Sequence, residues 1–438
     1  MENVGLSDLI SEIDSYLRRL FPICRSITGE GNRETLRILQ EIIPLSIHEV
    51  PSGTKVYDWT IPDEWNIKDA YIADSDSRRI VDFNENNLHV VSYSSPVRGK
   101  FFFDEISSRL YCHPELPDAI PYRTSYYKRD WGFCVTQSQF KELKECKEPL
   151  EVVIDSTLEP GSLTYGELLL PGHSDQEILL SCYICHPSMA NDSLSGVVLT
   201  AFLARALIEK NDSFYSYRIV FVPETIGAIA YCAMNEKKIK KIDFGFVITC
   251  VCGKGNYGYK QSFNPFHSIN AIIEKTFFED DIYLESYPFD IHGSDERQYS
   301  SQGFQINMAS ITKAKYYEYP EYHSSLDGLT SNTSSNLAKS LDIYKKVLLN
   351  IEKDIIFLNK SPNCEPMLSK HQLYPSSGGS MLPNTDSKDE LDLILWLLFL
   401  CDGKRGIEGI AKQLDVPTET LLSIAIGMEE KGILERVE

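Results

Sequence analysis

The chain is short of basic residues, of long apolar runs and of cysteines in paired spacing, and each shortage removes a class of function. Lysine and arginine total 43 against 63 aspartates and glutamates, a formal net charge of -20. Such a surface repels phosphate backbones and anionic headgroups, which argues against nucleic acid or membrane as the main partner. The longest apolar stretch, "LDLILWLLFLC" at residues 391–401, is shorter than the ~20 residues a membrane helix needs and reads as a core helix. The 11 cysteines are irregularly spaced, and the N-terminal stretch reads as an amphipathic helix without an export signal. Reduced thiols and a cytoplasmic location are therefore expected. No internal repeat is present.

What the chain does have is core-forming material. Its 438 residues are 42% hydrophobic and 24% charged, a folded composition at a length that favours two or three domains. Residues 7–22 and 31–43 read as helices, with Asn32 as a cap for the second. Residues 57–120 turn to short alternating segments such as "NNLHVVSYS", the texture of a small β-rich module. From about 128 onward strands alternate with helices, including a helix at 333–358. That is the pattern of an α/β fold with helices packed on a largely parallel sheet. Residues 359–387 read as a linker, and 388–438 carry three helical patterns suited to a winged helix.

In open α/β sheets ligands bind beyond the carboxyl ends of the strands, so polar residues directly after strand patterns are the candidates. His186 follows "EILLSCYI", and Asp192 lies in "NDSLSG" ahead of a helix. Imidazole and carboxylate are usual ligands of a hydrolytic zinc, although the pair also reads as a satisfied histidine beside a capping aspartate. Cys182 and Cys185 form a C-x-x-C whose strand alternation sends the two side chains to opposite faces. Glu224 in "VPETIG" is placed for a general base, or for a helix cap. His323 in "PEYHSSLD" reads equally as a solvated loop residue. Asp295, Glu296 and Arg297 in "HGSDERQY" also read as a surface ion cluster.

The order "CHP…NDSLSG", "VPETIG", "GSDERQY…GF", "EYHSSLD" resembles that of zinc aminopeptidases with co-catalytic metals. The phrases "CRSITGEGNRETL", "PSGTKVYDWTIPDEW", "TSYYKRDWGFC" and "GSDERQYSSQGF" are similar, over nearly the whole chain, to a bacterial family of aminopeptidase-like proteins. Its members carry an inserted β module and a C-terminal winged helix. The resemblance implies an α/β zinc-aminopeptidase-like mixed sheet flanked by helices, formed by residues 1–56 and 121–358, with 57–120 inserted. It implies His186, Asp192 and His323 as metal ligands and Glu224 as the base, and it hints at a role in polysaccharide biosynthesis.

Three positions depart from the aminopeptidase pattern: Ser188 replaces an aspartate, Thr225 the second glutamate of a pair, and Cys250 a strand-end aspartate. A thiolate is itself a zinc ligand, so one zinc on His186, Asp192 and Cys250, with His323 or Glu224 completing the shell, is expected; a second ion stays open. Asp295, Arg297 and Tyr299 are candidates for substrate binding. The expected function is hydrolysis of a peptide or related amide, with a ligand-binding descendant of the same pocket as the alternative. The helix in "PTETLLSIAIGMEEKGILERVE" is too acidic to favour DNA. The winged helix and the β insert are instead candidate surfaces for self-association.

Overall fold

The computed structural model describes residues 2–330, 332–374 and 388–437. They fall into two compact units, residues 1–260 with 284–344, and residues 261–283 with 345–438. Part of the expected linker, 375–387, lies outside the described residues.

An eight-stranded sheet organises the first unit. Its order is Ser46–Pro51, Ser162–Leu170, Ser216–Val222, Glu177–Tyr183, Phe244–Val247, Asn307–Lys313, Tyr257–Lys260 and Leu284–Tyr287. The four strands from Ser216–Val222 to Asn307–Lys313 run parallel to one another, whereas Ser46–Pro51 and Ser162–Leu170 on one side and Tyr257–Lys260 on the other join antiparallel. The sheet is therefore mixed, around a parallel centre. Ser216–Val222 is buried at every position, as expected of a strand covered on both faces. Its Arg218 is held by the carboxylates of Glu167 and Glu177 from the strands on either side. Tyr231 also donates to Glu167, at 2.6 Å.

The helix Ser195–Lys210 packs its first ten residues wholly inside. Together with the turn before it, the segment 190–210 is long and apolar enough to cross a membrane by composition, yet 78% of its 18-residue apolar window is buried in the protein, which is the environment of a core helix. Gly196 is required there, because a Cβ would stand 2.2 Å from the carbonyl oxygen of Ile248.

The inserted sheet departs from the expected boundary. Its order is Arg79–Asp82, Glu64–Ala73, Leu150–Glu159, Val97–Phe101, so a central strand comes from a segment assigned to the α/β domain by its pattern. "LEVVIDSTLE" alternates in the same way whichever sheet receives it, and pairing partners 49 to 95 positions away are not encoded locally. The second helix also differs: it runs Glu30–Leu39 from Gly29, and Asn32 is buried within it, donating to the Ser26 carbonyl at 2.6 Å instead of capping.

In the second unit the strands Asp402–Gly406, Ile356–Asn359 and Leu434–Arg436 form a sheet with the helices Glu390–Leu400, Ile407–Leu414 and Thr418–Glu430. The preceding helix ends at Lys353. Residues 356–358, read from sequence as the end of that helix, form with Asn359 a strand of the winged-helix unit, and Leu368 from the expected linker packs in its core. All of the cysteines are free.

Candidate metal centre

The parallel strands bring their carboxyl ends to one edge, and three candidate residues leave from it. His186 follows Glu177–Tyr183, Glu224 follows Ser216–Val222 and Cys250 follows Phe244–Val247. Asp192 sits in the turn ahead of Ser195–Lys210, and His323 arrives on the loop after Asn307–Lys313. Although 137 positions separate them in sequence, the imidazole rings of His186 and His323 stand 5.5 Å apart. Donor atoms of His186, Asp192 and His323 all lie within 4.8 Å of one another.

Asp192 is 1% exposed. Its Oδ1 accepts from the Tyr183 hydroxyl, which in turn accepts from Thr249 at 2.7 Å. Its Oδ2 stands 3.0 Å from Nε2 of His323 but meets no donor at hydrogen-bonding geometry. A buried carboxylate oxygen left without a hydrogen bond is costly unless a cation takes that place. Two imidazoles and a carboxylate grouped this closely match the three protein ligands of a catalytic zinc. Burial pushes the His186 imidazole down to about 4. Asp192, despite its burial, is held at about 2 by the neighbouring histidines and the Tyr183 hydroxyl. At neutral pH both are in the protonation state that binds metal.

Asp327, passed over in the sequence, positions this carboxylate. Its Oδ1 accepts the Asn191 N–H at 2.8 Å, and its Oδ2 accepts the Asp192 N–H and the Tyr319 hydroxyl, each at 2.9 Å. Arg25 does similar work for His186. It is 1% exposed, donates from Nε to the His186 carbonyl at 3.0 Å and from Nη1 to the Leu20 carbonyl at 2.6 Å.

Glu224 lies 3.8 Å from Nε2 of His186, and its backbone N–H donates to the Cys185 sulfur at 3.2 Å. Burial, reinforced by the charge of Asp192, raises its carboxyl to about 7, in the range that suits a general base. Asp295 is buried behind it, accepting the Thr225 N–H at 2.8 Å. Burial and the nearby Glu224 charge raise Asp295 well above the usual carboxylate range. Two neighbouring carboxyls that cannot both ionise share a proton. Ser188, Thr225, Cys250 and His323 all have positive φ (35°, 61°, 53° and 53°). Such backbone strain in non-glycine residues gathers at functional loops.

Not every expected residue converges. Cys250 belongs to neither close group of donors; burial pushes its thiol well up, and Thr249 donates to its sulfur at 3.5 Å. The close thiol is Cys185, grouped with His186 and Glu224. The C-x-x-C reading hid it, because the chain has left the strand at Tyr183 and the alternation rule no longer applies. Tyr299, expected at the substrate, is buried with its hydroxyl 3.0 Å from Ser181, so it is a packing residue. Asp295 is likewise buried behind Glu224 and is not a free substrate ligand. Arg297 is exposed and donates to the Ile291 carbonyl at 3.4 Å. A cavity of about 470 Å³ lined by Asn191, Tyr257, Tyr287 and Asp327 includes none of His186, Glu224 or His323; it backs onto the loop that holds Asp192.

The inserted module closes the centre. The Tyr122 N–H donates to the His323 carbonyl at 2.8 Å, and Ile120 and Ser325 exchange two hydrogen bonds of 2.9 Å. The Tyr122 ring rests 5.1 Å from that of His186 and 5.2 Å from that of His323. The "TSYYKRDWGFC" stretch begins two residues after Tyr122, and nothing local points from Tyr122 toward a histidine some 200 positions away.

Comparison with known proteins agrees with the fold. Residues 14–354 match the family described as "Domain of unknown function (DUF4910)", and residues 355–436 match a winged helix-turn-helix family. A Clostridium acetobutylicum protein is 46% identical over 92% of both chains; its name assigns it provisionally to polysaccharide biosynthesis, with an aminopeptidase-like domain. A C. acetobutylicum crystal structure provisionally called a peptidase is similar at 42% identity and TM-score 0.80, over 99% of both chains. The zinc aminopeptidase BSAP of Bacillus subtilis shares the fold at TM-score 0.55 and 11% identity, covering 79% of this chain and 95% of that one.

Proposed function

Since the chain belongs to the DUF4910 family and joins an aminopeptidase-like fold to a winged helix, we propose that it hydrolyses an amide bond at one zinc held by His186, Asp192 and His323. The carrying observation is the buried, hydrogen-bond-free Oδ2 of Asp192 set between two imidazoles. Zinc bound there would supply the Lewis acidity that acidifies a water and polarises an amide carbonyl. Glu224, beside His186, takes the proton from that water and passes it to the departing nitrogen. Asp327 fixes the Asp192 loop, Arg25 fixes the end of the His186 strand, and the Tyr122 ring packs against both imidazoles.

A single ion fits better than a pair. Thr225 and Ser188 offer no carboxylate, and Cys250 stands outside the donor groups. The missing ligands also favour the second reading, a ligand-binding descendant without turnover. The change Glu224→Gln separates the two. The hydrolase reading requires that it keep zinc and lose about 100-fold or more of any amidase activity. Wild-type protein loaded with zinc yet inert on aminoacyl anilides and N-acyl amino sugars would favour the binding reading. The similar protein named for polysaccharide biosynthesis supports a saccharide-linked amide as the substrate.

A further inference from the structure

The inserted module carries aromatic side chains outward from the metal centre, and the outermost of them are exposed. The Tyr122 hydroxyl, next to both histidines, bonds that of Tyr126 at 2.8 Å. Tyr126 and Tyr127 stand 6.4 Å apart at 76°, and Tyr127 meets Trp59 at 5.4 Å and 68°. Trp59 is 37% and Tyr127 56% exposed. These rings meet edge to face, so no two of them cover each other face to face.

The border of this track is polar. Arg129 pairs with Asp63 at 2.9 Å, and the Tyr57 hydroxyl, on the hairpin that bears Trp59, reaches Glu236 at 3.4 Å. Exposed aromatics with a polar rim mark a binding surface. A purely apolar peptide side chain would strip water from these charged rim groups, Arg129 and Asp63 among them, and offer them nothing in return, at a cost. A pyranose ring offers an apolar C–H face to an aromatic ring and hydroxyls around its edge to the rim.

We propose that Trp59 and Tyr127 form a saccharide platform, backed by the partly buried Tyr126, that leads an N-acylated amino sugar, within an oligosaccharide, to the metal centre. This rests on the amidase reading for its chemistry but not for its binding. In the reaction the acyl C–N bond breaks, a C–O bond forms from water, and the water proton moves through Glu224 to the amine. The products are a carboxylic acid and a free amino sugar.

The test is titration of the full-length, zinc-loaded protein with N-acetylglucosamine oligomers of two to four units, followed by tryptophan fluorescence and calorimetry. The platform predicts saturable binding that strengthens with oligomer length and weakens about fivefold or more in Trp59→Ala and in Tyr127→Ala. Thermal midpoint and zinc content are measured alongside, so that a folding defect is recognised. If the wild type does not bind, or binds no better than these variants when they are folded, the platform is overturned even where aminoacyl anilides are hydrolysed. Binding that behaves as predicted without acetate release supports the platform and counts against the amidase reading instead.

Discussion

Replacing Asp327 with asparagine removes the support of Asp192 without touching a metal donor. The carboxylate accepts three hydrogen bonds, two of them from the backbone N–H groups of Asn191 and Asp192. Asparagine keeps one acceptor oxygen and turns an amine toward whichever N–H faces the other position. The Tyr319 hydroxyl can rotate to accept, but a backbone N–H cannot. One charge-assisted bond is then lost and a donor is left facing a donor, which costs the loop about 2 kcal/mol. Only the ordered loop presents Asp192, so zinc affinity should fall by about thirtyfold, inside the ~10–100-fold range for outer-shell partners. The assay is competition for zinc against a chromogenic chelator, with circular dichroism to confirm the fold. An affinity within about twofold of wild type in a folded variant would refute the assigned role.

Other outcomes follow from the same geometry. Thr225 holds φ 61° and ψ -79°, so Thr225→Gly should raise stability in chemical denaturation by about 1 kcal/mol; a loss would mean that the backbone is not strained. In metal-free protein Glu224, raised to about 7 by burial and Asp192, binds its proton more tightly folded than unfolded. Its stabilising contribution is complete below pH ~4.3 and is lost as pH rises through ~7. Wild type should therefore lose on the order of 2 kcal/mol relative to Glu224→Gln between pH ~4.5 and ~8, and parallel stability curves would contradict the burial. Zinc at 100 times its dissociation constant should stabilise wild type by ~2.7 kcal/mol and His323→Ala by much less; equal stabilisation would move the ion elsewhere.

The outline of the fold was legible because it is written in local patterns. Strand-end residues His186 and Glu224 followed apolar runs, and the rule that ligands gather at the carboxyl ends of parallel strands placed them together. The rest was written in long-range pairings. Leu150–Glu159 joins strands on both sides of it in the inserted sheet, and its alternation cannot say which sheet it enters. Cys250 looked like a ligand by its position in the motif order, yet its side chain stays buried beside Thr249. Cys185 was set aside by a strand rule that stops two residues earlier. Tyr122 and Asp327 act through contacts across 201 and 135 positions respectively, where periodicity carries no information.

The most direct measurement is anomalous diffraction at the zinc edge from crystals grown with the metal. A single peak within bonding distance of His186, Asp192 Oδ2 and His323 is the predicted result. An absent peak at millimolar zinc, or one at a site that these three side chains do not touch, would contradict the metal centre.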